Sequence, residues 1–239
     1  MNKNILSVFI FLLFCLAASA QKVIHDPNAE VRNVKGYHAI EVSGGIDLYL
    51  SSGEETVAVS AKDNNIRSRI KTEVKDGTLK IWIDWKDGIN FSLRGDRELK
   101  AYVSYKTLDR LSASGGSDVA VDGTINSNNL KLVISGGSDF KGKVAVARLD
   151  VDQSGGSDVD ISGTADEIVL DASGGSDFEG YDLITNNCTI SASGGSDINI
   201  TANKELSAEA SGASDINWKG KAAVKKANAS GAGSVSHRS

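Results

Sequence analysis

The sequence predicts an all-β protein: a parallel β-helix (solenoid) with coils of about 19 residues and a less regular β-rich N-terminal part. Two observations predict it. The first is a recurring phrase, which begins at Ser114 (SGGSDV), Ser135 (SGGSDF), Ser154 (SGGSDV), Ser173 (SGGSDF), Ser193 (SGGSDI), Ser211 (SGASDI) and Ser230 (SGAGSV). Starts so evenly spaced are those of a chain that coils repeatedly on itself. The second is parity. Counting the first serine as zero, position +5 is apolar in all seven copies: Val119, Phe140, Val159, Phe178, Ile198, Ile216 and Val235. Position −3 is apolar as well, and position −5 holds Leu130, Leu149, Ile168, Cys188 and Leu206. Even positions are polar or small, as at Lys131, Asp150, Asp160 and Glu179. A period of two means strands with one buried face, and a helical repeat would need 3.6.

Each coil is expected to hold two or three short strands. Neighbouring coils stack at about 4.8 Å, so each one buries its face against the next, and the ends need caps. The last phrase is degenerate: Ser234 replaces Asp, and Lys219, Lys221, Lys225 and Lys226 precede it with no acidic residue after Asp215. Charge at a terminal coil discourages edge-to-edge aggregation.

Upstream, the elements follow in order. Ser43-Gly44-Gly45-Ile46-Asp47 is an earlier relative of the phrase, several coil lengths before Ser114. Alternating runs at residues 38–42, 46–50, 56–61, 78–85 and 98–105 predict strands, separated by turn signals at Ser52-Gly53, Asp76-Gly77 and Asp87-Gly88. Residues 65–74 are expected to form a short helical turn. The predicted organisation is a signal peptide at 1–20, a leader at 21–36 and one domain at 37–239. Within that domain, coils are irregular over 37–112 and regular over 113–234.

The signal assignment rests on Lys3, a twelve-residue apolar run over 5–16, and Ala18-Ser19-Ala20, which places cleavage before Gln21. The apolar run is too short to span a bilayer. Lipidation at Cys15 is disfavoured because Phe14 stands where that signal takes a small residue. The expected location is therefore outside the cytoplasm: periplasmic, outer-membrane-associated or extracellular, with no integral membrane segment after cleavage.

Composition excludes several classes. Two cysteines are too few for a disulfide scaffold, and a formal charge of −5 gives no basic footprint for nucleic acid. An export signal, an opening strand and Gly45-Ile46-Asp47 heading a run of S-G-G-S-D repeats resemble the bacterial family described as putative auto-transporter adhesin, head GIN domain, common in Bacteroidetes. The resemblance covers residues 37–220. The family's Gly-Ile-Asn stands here as Gly45-Ile46-Asp47, which keeps the shape and adds a charge. The resemblance implies a β-helical envelope or surface protein and assigns no catalytic residue.

The most regular candidate site is an aspartate column: Asp118, Asp139, Asp158, Asp177, Asp197 and Asp215. Carboxylates about 4.8 Å apart repel by roughly 0.9 kcal/mol in water and about 3.5 at an effective dielectric of 20, so the column needs compensation. Hydrogen bonds within a Gly-Gly turn would supply it and lower the carboxylate pKa; calcium is the other candidate. Unbroken parity points these aspartates outward and the serines at +3 inward, whereas a tight turn at Gly-Gly would swap them. Asp150, Asp152, Asp158, Asp160, Asp171, Asp177 and Glu179 give the middle coils an acidic outer face, suited to cations, to a basic partner or simply to solvation.

Trp82 and Trp85 differ by three, so they fall on opposite faces of a strand, and an exposed ring there is a platform for a sugar. Cys188 occupies a core position and has no histidine within the regular coils to act as its base. These readings converge on an exported, non-catalytic binding module for glycan or for an envelope or host protein. The alternatives are a structural or self-associating envelope component and a polysaccharide-degrading β-helix enzyme. Arg148 is the sole arginine between Leu111 and His237, and no long inserted loops wall a groove, which favours binding over catalysis.

Overall fold

The computed structural model describes residues 25–85 and 98–239. The expected signal peptide at 1–20, the first residues of the leader and the Asp87-Gly88 turn signal lie outside the described residues.

The N-terminal part contains β1 (Glu30–Arg32), β2 (Ala39–Ser43), β3 (Asp47–Ser52), β4 (Thr56–Ser60), α1 (Asn64–Arg67), β5 (Ile70–Lys75), β6 (Thr78–Ile83), β7 (Lys100–Tyr105) and β8 (Arg110–Ser114). The helical expectation over 65–74 holds only for its first residues. Asp63 caps α1, its carboxylate accepting from the backbone N–H groups of Asn65 and Ile66. Ile70, Thr72 and Val74 then alternate as β5, which pairs antiparallel with β6 through Asp76 and Gly77, both at positive φ. Two successive positive φ values match the right-handed twist of a tight hairpin, and that pairing overrides the local helical tendency.

The regular coils follow as β9 (Val119–Ser135), β10 (Asp139–Gly155), β11 (Asp158–Gly174), β12 (Asp177–Ala192) and β13 (Asp197–Ala210), then β14 (Asp215–Lys219), β15 (Ala223–Ala229) and β16 (Ser234–His237). Neighbours in this series pair in parallel one coil apart, as with Asp139 and Asp158, Leu149 and Ile168, and Ser154 and Ser173. The result is a parallel β-solenoid of about seven turns. Instead of two or three separate strands per coil, a single strand runs through most of each coil. The ladder to the next coil continues around the bend, and register slips only locally, as between Lys141 and Lys143 or Asp160 and Gly163.

The upstream phrase belongs to the same stack. Ser43 pairs with Ser114 across β2 and β8, and Leu48 pairs with Val119 across β3 and β9, so Ser43 opens a coil although the two phrases lie far apart in sequence. Inward positions form one continuous hydrophobic cluster, with Leu48, Val119, Phe140, Val159, Phe178, Ile198 and Ile216 in a single buried column. Cys188 lies in this cluster beside Ile168 and Leu206.

The Gly-Gly corner needs glycine for a steric reason. Gly174 has φ of 85°, and a Cβ there would stand 2.6 Å from the Gly155 carbonyl oxygen of the preceding coil. Backbones of successive coils meet at this corner with no room between them.

Candidate functional site

At the corner the chain keeps its parity. Ser117, Ser138, Ser157, Ser176, Ser196 and Ser214 are fully buried, and the aspartates that follow them point outward. The hydroxyls of Ser157, Ser176, Ser196 and Ser214 donate to the carbonyls of Ser154, Ser173, Ser193 and Ser211, three residues earlier. Nearer the N-terminus the direction reverses. There the Ser138 hydroxyl accepts from the Ser117 N–H, and the Ser117 hydroxyl accepts from the Ile46 N–H. Serine therefore ties the turn down, a role the sequence assigned to aspartate as well.

The aspartates form a continuous outer ladder. Registers join Asp139 to Asp158, Asp158 to Asp177, Asp177 to Asp197 and Asp197 to Asp215. Their carboxylates do not close onto their own Gly-Gly turns. Asp118 Oδ1 accepts from the Asp139 N–H and Asp139 Oδ1 from the Asp158 N–H, both at 3.3 Å. That contact does not offset the crowding at Asp158. Burial, then the charges of Asp139 and Asp177, raise its carboxyl above the ordinary value, opposite to the lowering expected from turn hydrogen bonds.

Asp47 extends the ladder by one rung. Leu48 N–H donates to the Asp118 carbonyl at 2.7 Å, which sets Asp47 beside Asp118. Burial and the Asp118 charge raise the Asp47 carboxyl, and Lys100, its register partner in β7, works against them. The other end of the ladder finishes at Ser234, whose hydroxyl donates to Asp215 at 2.6 Å. Among the described residues no three His, Cys, Asp or Glu side chains converge as a metal site. The ladder carboxylates stand side by side along the surface.

Two positions further on, the outward column runs Tyr102, Tyr49, Ala120, Lys141, Asp160 and Glu179 from coil to coil. The Tyr49 and Tyr102 rings stack with centroids 5.3 Å apart and planes 19° from parallel. Tyr102 is fixed from behind by its hydroxyl, which donates to Asp26 at 2.8 Å, and Tyr49 is 41% exposed. The small Ala120 leaves a notch between the Tyr49 ring and the Lys141–Asp160 ion pair at 2.6 Å. Tyr49, Ala120, Lys141 and the carboxylates of Asp47, Asp118, Asp139 and Asp158 line a cleft of about 360 Å³. An aromatic wall, an apolar floor and a row of hydrogen-bond acceptors offer both faces of an amphipathic ligand a partner.

The tryptophans behave as parity requires. Trp82 is on the outward face of β6, half-buried and opposite Lys71 of β5. Trp85 packs against the core. Neither lines the Tyr49 cleft. Four of the five tyrosines fall in the irregular N-terminal part, but nothing local in the sequence singles out Tyr49 and Tyr102; extending the count to the Ser43 phrase puts Tyr49 at +6, the column of Lys141 and Asp160. Part of the acidic face is paired with cations: Lys131 meets Asp152 at 2.6 Å, Arg148 meets Asp150 at 2.7 Å, and Lys141 meets Asp160. Burial pushes the Cys188 thiol up to about 11, and Thr185 Oγ1 lies 2.7 Å from its sulfur.

Comparison with known proteins gives a consistent picture. A family model described as putative auto-transporter adhesin, head GIN domain, matches residues 36–222. Among solved structures the chain is similar to a putative adhesin from Bacteroides fragilis, with 25% identity and a TM-score of 0.79 over 88% of this chain and 96% of that one. A putative lipid binding protein from Parabacteroides distasonis shares the fold at 19% identity and a TM-score of 0.65, covering 90% of this chain and 98% of that one. A putative adhesin from Parabacteroides merdae does so at 16% identity and 0.64, covering 88% and 95%. No curated protein matches the chain. No helix among the described residues is long and apolar enough to cross a membrane.

Proposed function

The chain belongs to the family described as putative auto-transporter adhesin, head GIN domain, and from that premise we propose that it is an exported, non-catalytic envelope or surface protein that binds carbohydrate through the Tyr49 cleft. The observation that carries this reading is the exposed Tyr49 ring, braced by Tyr102 at the edge of a cleft lined with Asp47, Asp118, Asp139 and Asp158. A sugar ring stacks its C–H face on an aromatic ring while its hydroxyls donate to carboxylates. Trp82 is the weaker platform because it is half-buried and lines no part of that cleft.

The same geometry argues against glycoside hydrolysis. A glycosidase flanks the scissile bond with two carboxyl groups on opposing sides. Here the ladder carboxylates project from one sheet face, so a sugar resting on them meets all of them from the same side. The direct test is a glycan-array screen of the chain from Gln21 to Ser239 in calcium and in chelator, alongside Tyr49→Ala. The reading predicts binding to a defined sugar that Tyr49→Ala weakens. Absence of binding, together with concentration-dependent assembly in sedimentation, supports the structural, self-associating alternative.

A further inference from the structure

The two ends of the solenoid are finished differently. At the N-terminal end, β1 closes antiparallel on β4 and β5 closes antiparallel on β6, leaving Ile70, Tyr37 and Leu99 buried beneath. At the other end, β15 pairs only with β13 and β16 only with β14, and among the described residues no strand lies beyond either. The residues that continue the core columns are uncovered there. Val224 is 48% exposed although its register partner Leu206 is fully buried. Ala227 and Ala229 are exposed where Ala208 and Ala210 are buried, and Val235 is half-buried where Ile216 is fully enclosed.

We propose that this C-terminal edge docks an extended, acidic segment of a partner protein, which adds as a further strand on β15. Three features fit that occupant. The outer edge of β15 presents backbone N–H and C=O groups that only another strand pairs along its whole length. The exposed Val224, Ala227 and Ala229 take the alternate side chains of such a strand. The third feature is charge: residues 216–239 hold Lys219, Lys221, Lys225, Lys226 and Arg238 and none of the 31 acidic residues.

Charge also alternates along the stack. Lys225 and Lys226 reach back to Glu205 and Glu209 of the preceding coil. A carboxylate on the next strand would meet the same ammonium groups from the far side. Two copies of this end facing each other would bring like charges together, so the same lysines exclude a symmetric self-pairing. This site is separate from the Tyr49 cleft, and each stands without the other.

The test uses the chain from Gln21 to Ser239 with a labelled short peptide of alternating Val and Glu, its Val/Lys counterpart and phosphatidylglycerol vesicles. The Val/Glu peptide is expected to bind, to weaken as salt is added, and to slow hydrogen exchange at residues 223–229. Lys225→Glu with Lys226→Glu should lower its affinity about tenfold and turn preference toward the Val/Lys peptide. Should that variant lose its fold by circular dichroism, Lys221→Glu with Arg238→Glu carries the same test from the same end. Equal binding of both peptides, or none, overturns the proposal. So does protection of residues 223–229 that appears only with rising protein concentration, or only with the vesicles.

Discussion

Asp47 stands one rung from Asp118 in a carboxylate ladder that joins two distant stretches of sequence, because Leu48 N–H donates to the Asp118 carbonyl at 2.7 Å. The Asp47 carboxylate is therefore an added charge in a column that already repels itself. Lys100 on its far side is the counterweight.

Asp158 has no cation in that place: the charges of Asp139 and Asp177 flank it, and the Asp177 N–H offsets them only in part. Its raised pKa means that the folded state holds the proton more tightly than the unfolded chain. The penalty is complete above the folded pKa and is relieved as pH falls through the carboxylate range. Asp158→Asn should therefore stabilise the protein at pH 7, by no more than about 1 kcal/mol because solvent screens an exposed carboxylate. The gain should shrink with added salt and disappear near pH 3 in thermal melts. Asp47→Asn should give a smaller gain at pH 7, because Lys100 already offsets part of the repulsion.

The serine column should respond in the opposite sense. Ser176 is fully buried and its hydroxyl donates to the Ser173 carbonyl at 2.8 Å. Ser176→Ala strands that carbonyl at the corner and should cost about 1–3 kcal/mol, read as a lower urea midpoint with an unchanged m-value.

Gly174→Ala tests the closeness of the coils. It combines a left-handed φ with a Cβ 2.6 Å from a backbone oxygen that cannot move aside. A loss of about 2–4 kcal/mol is expected, whereas alanine at Gly175, where a Cβ meets nothing within 4 Å, should be nearly neutral.

Cys188 should be inert in the folded protein. With its thiol pushed up to about 11 by burial, almost no thiolate exists at neutral pH. Labelling by a thiol reagent should follow global unfolding in denaturant, and rapid labelling of the native protein would contradict its place in the core.

The repeat made the coils legible. Position +5 told the inward column, whereas at Gly-Gly parity left two arrangements open, and the structure takes the one with buried serine and outward aspartate. What was not legible came from pairings distant in sequence. The stack of Tyr49 on Tyr102 needs β3 and β7 to be neighbours, and the helix, the β5–β6 hairpin and more lie between the two rings along the chain. The meeting of Asp47 with Lys100 depends on the same pairing. The strand at Ile70–Lys75 escaped because its short polar alternation is settled by the hairpin to β6 and not by local propensity.

The most direct test of the carbohydrate-binding account is a binding titration of an array-identified sugar against the wild-type chain, Tyr49→Ala and Trp82→Ala. Tyr49→Ala is expected to lose at least about 0.5–1.5 kcal/mol of binding, the order of one aromatic-face contact. Trp82→Ala should bind as wild type. Undiminished binding by Tyr49→Ala would contradict the assignment of the cleft.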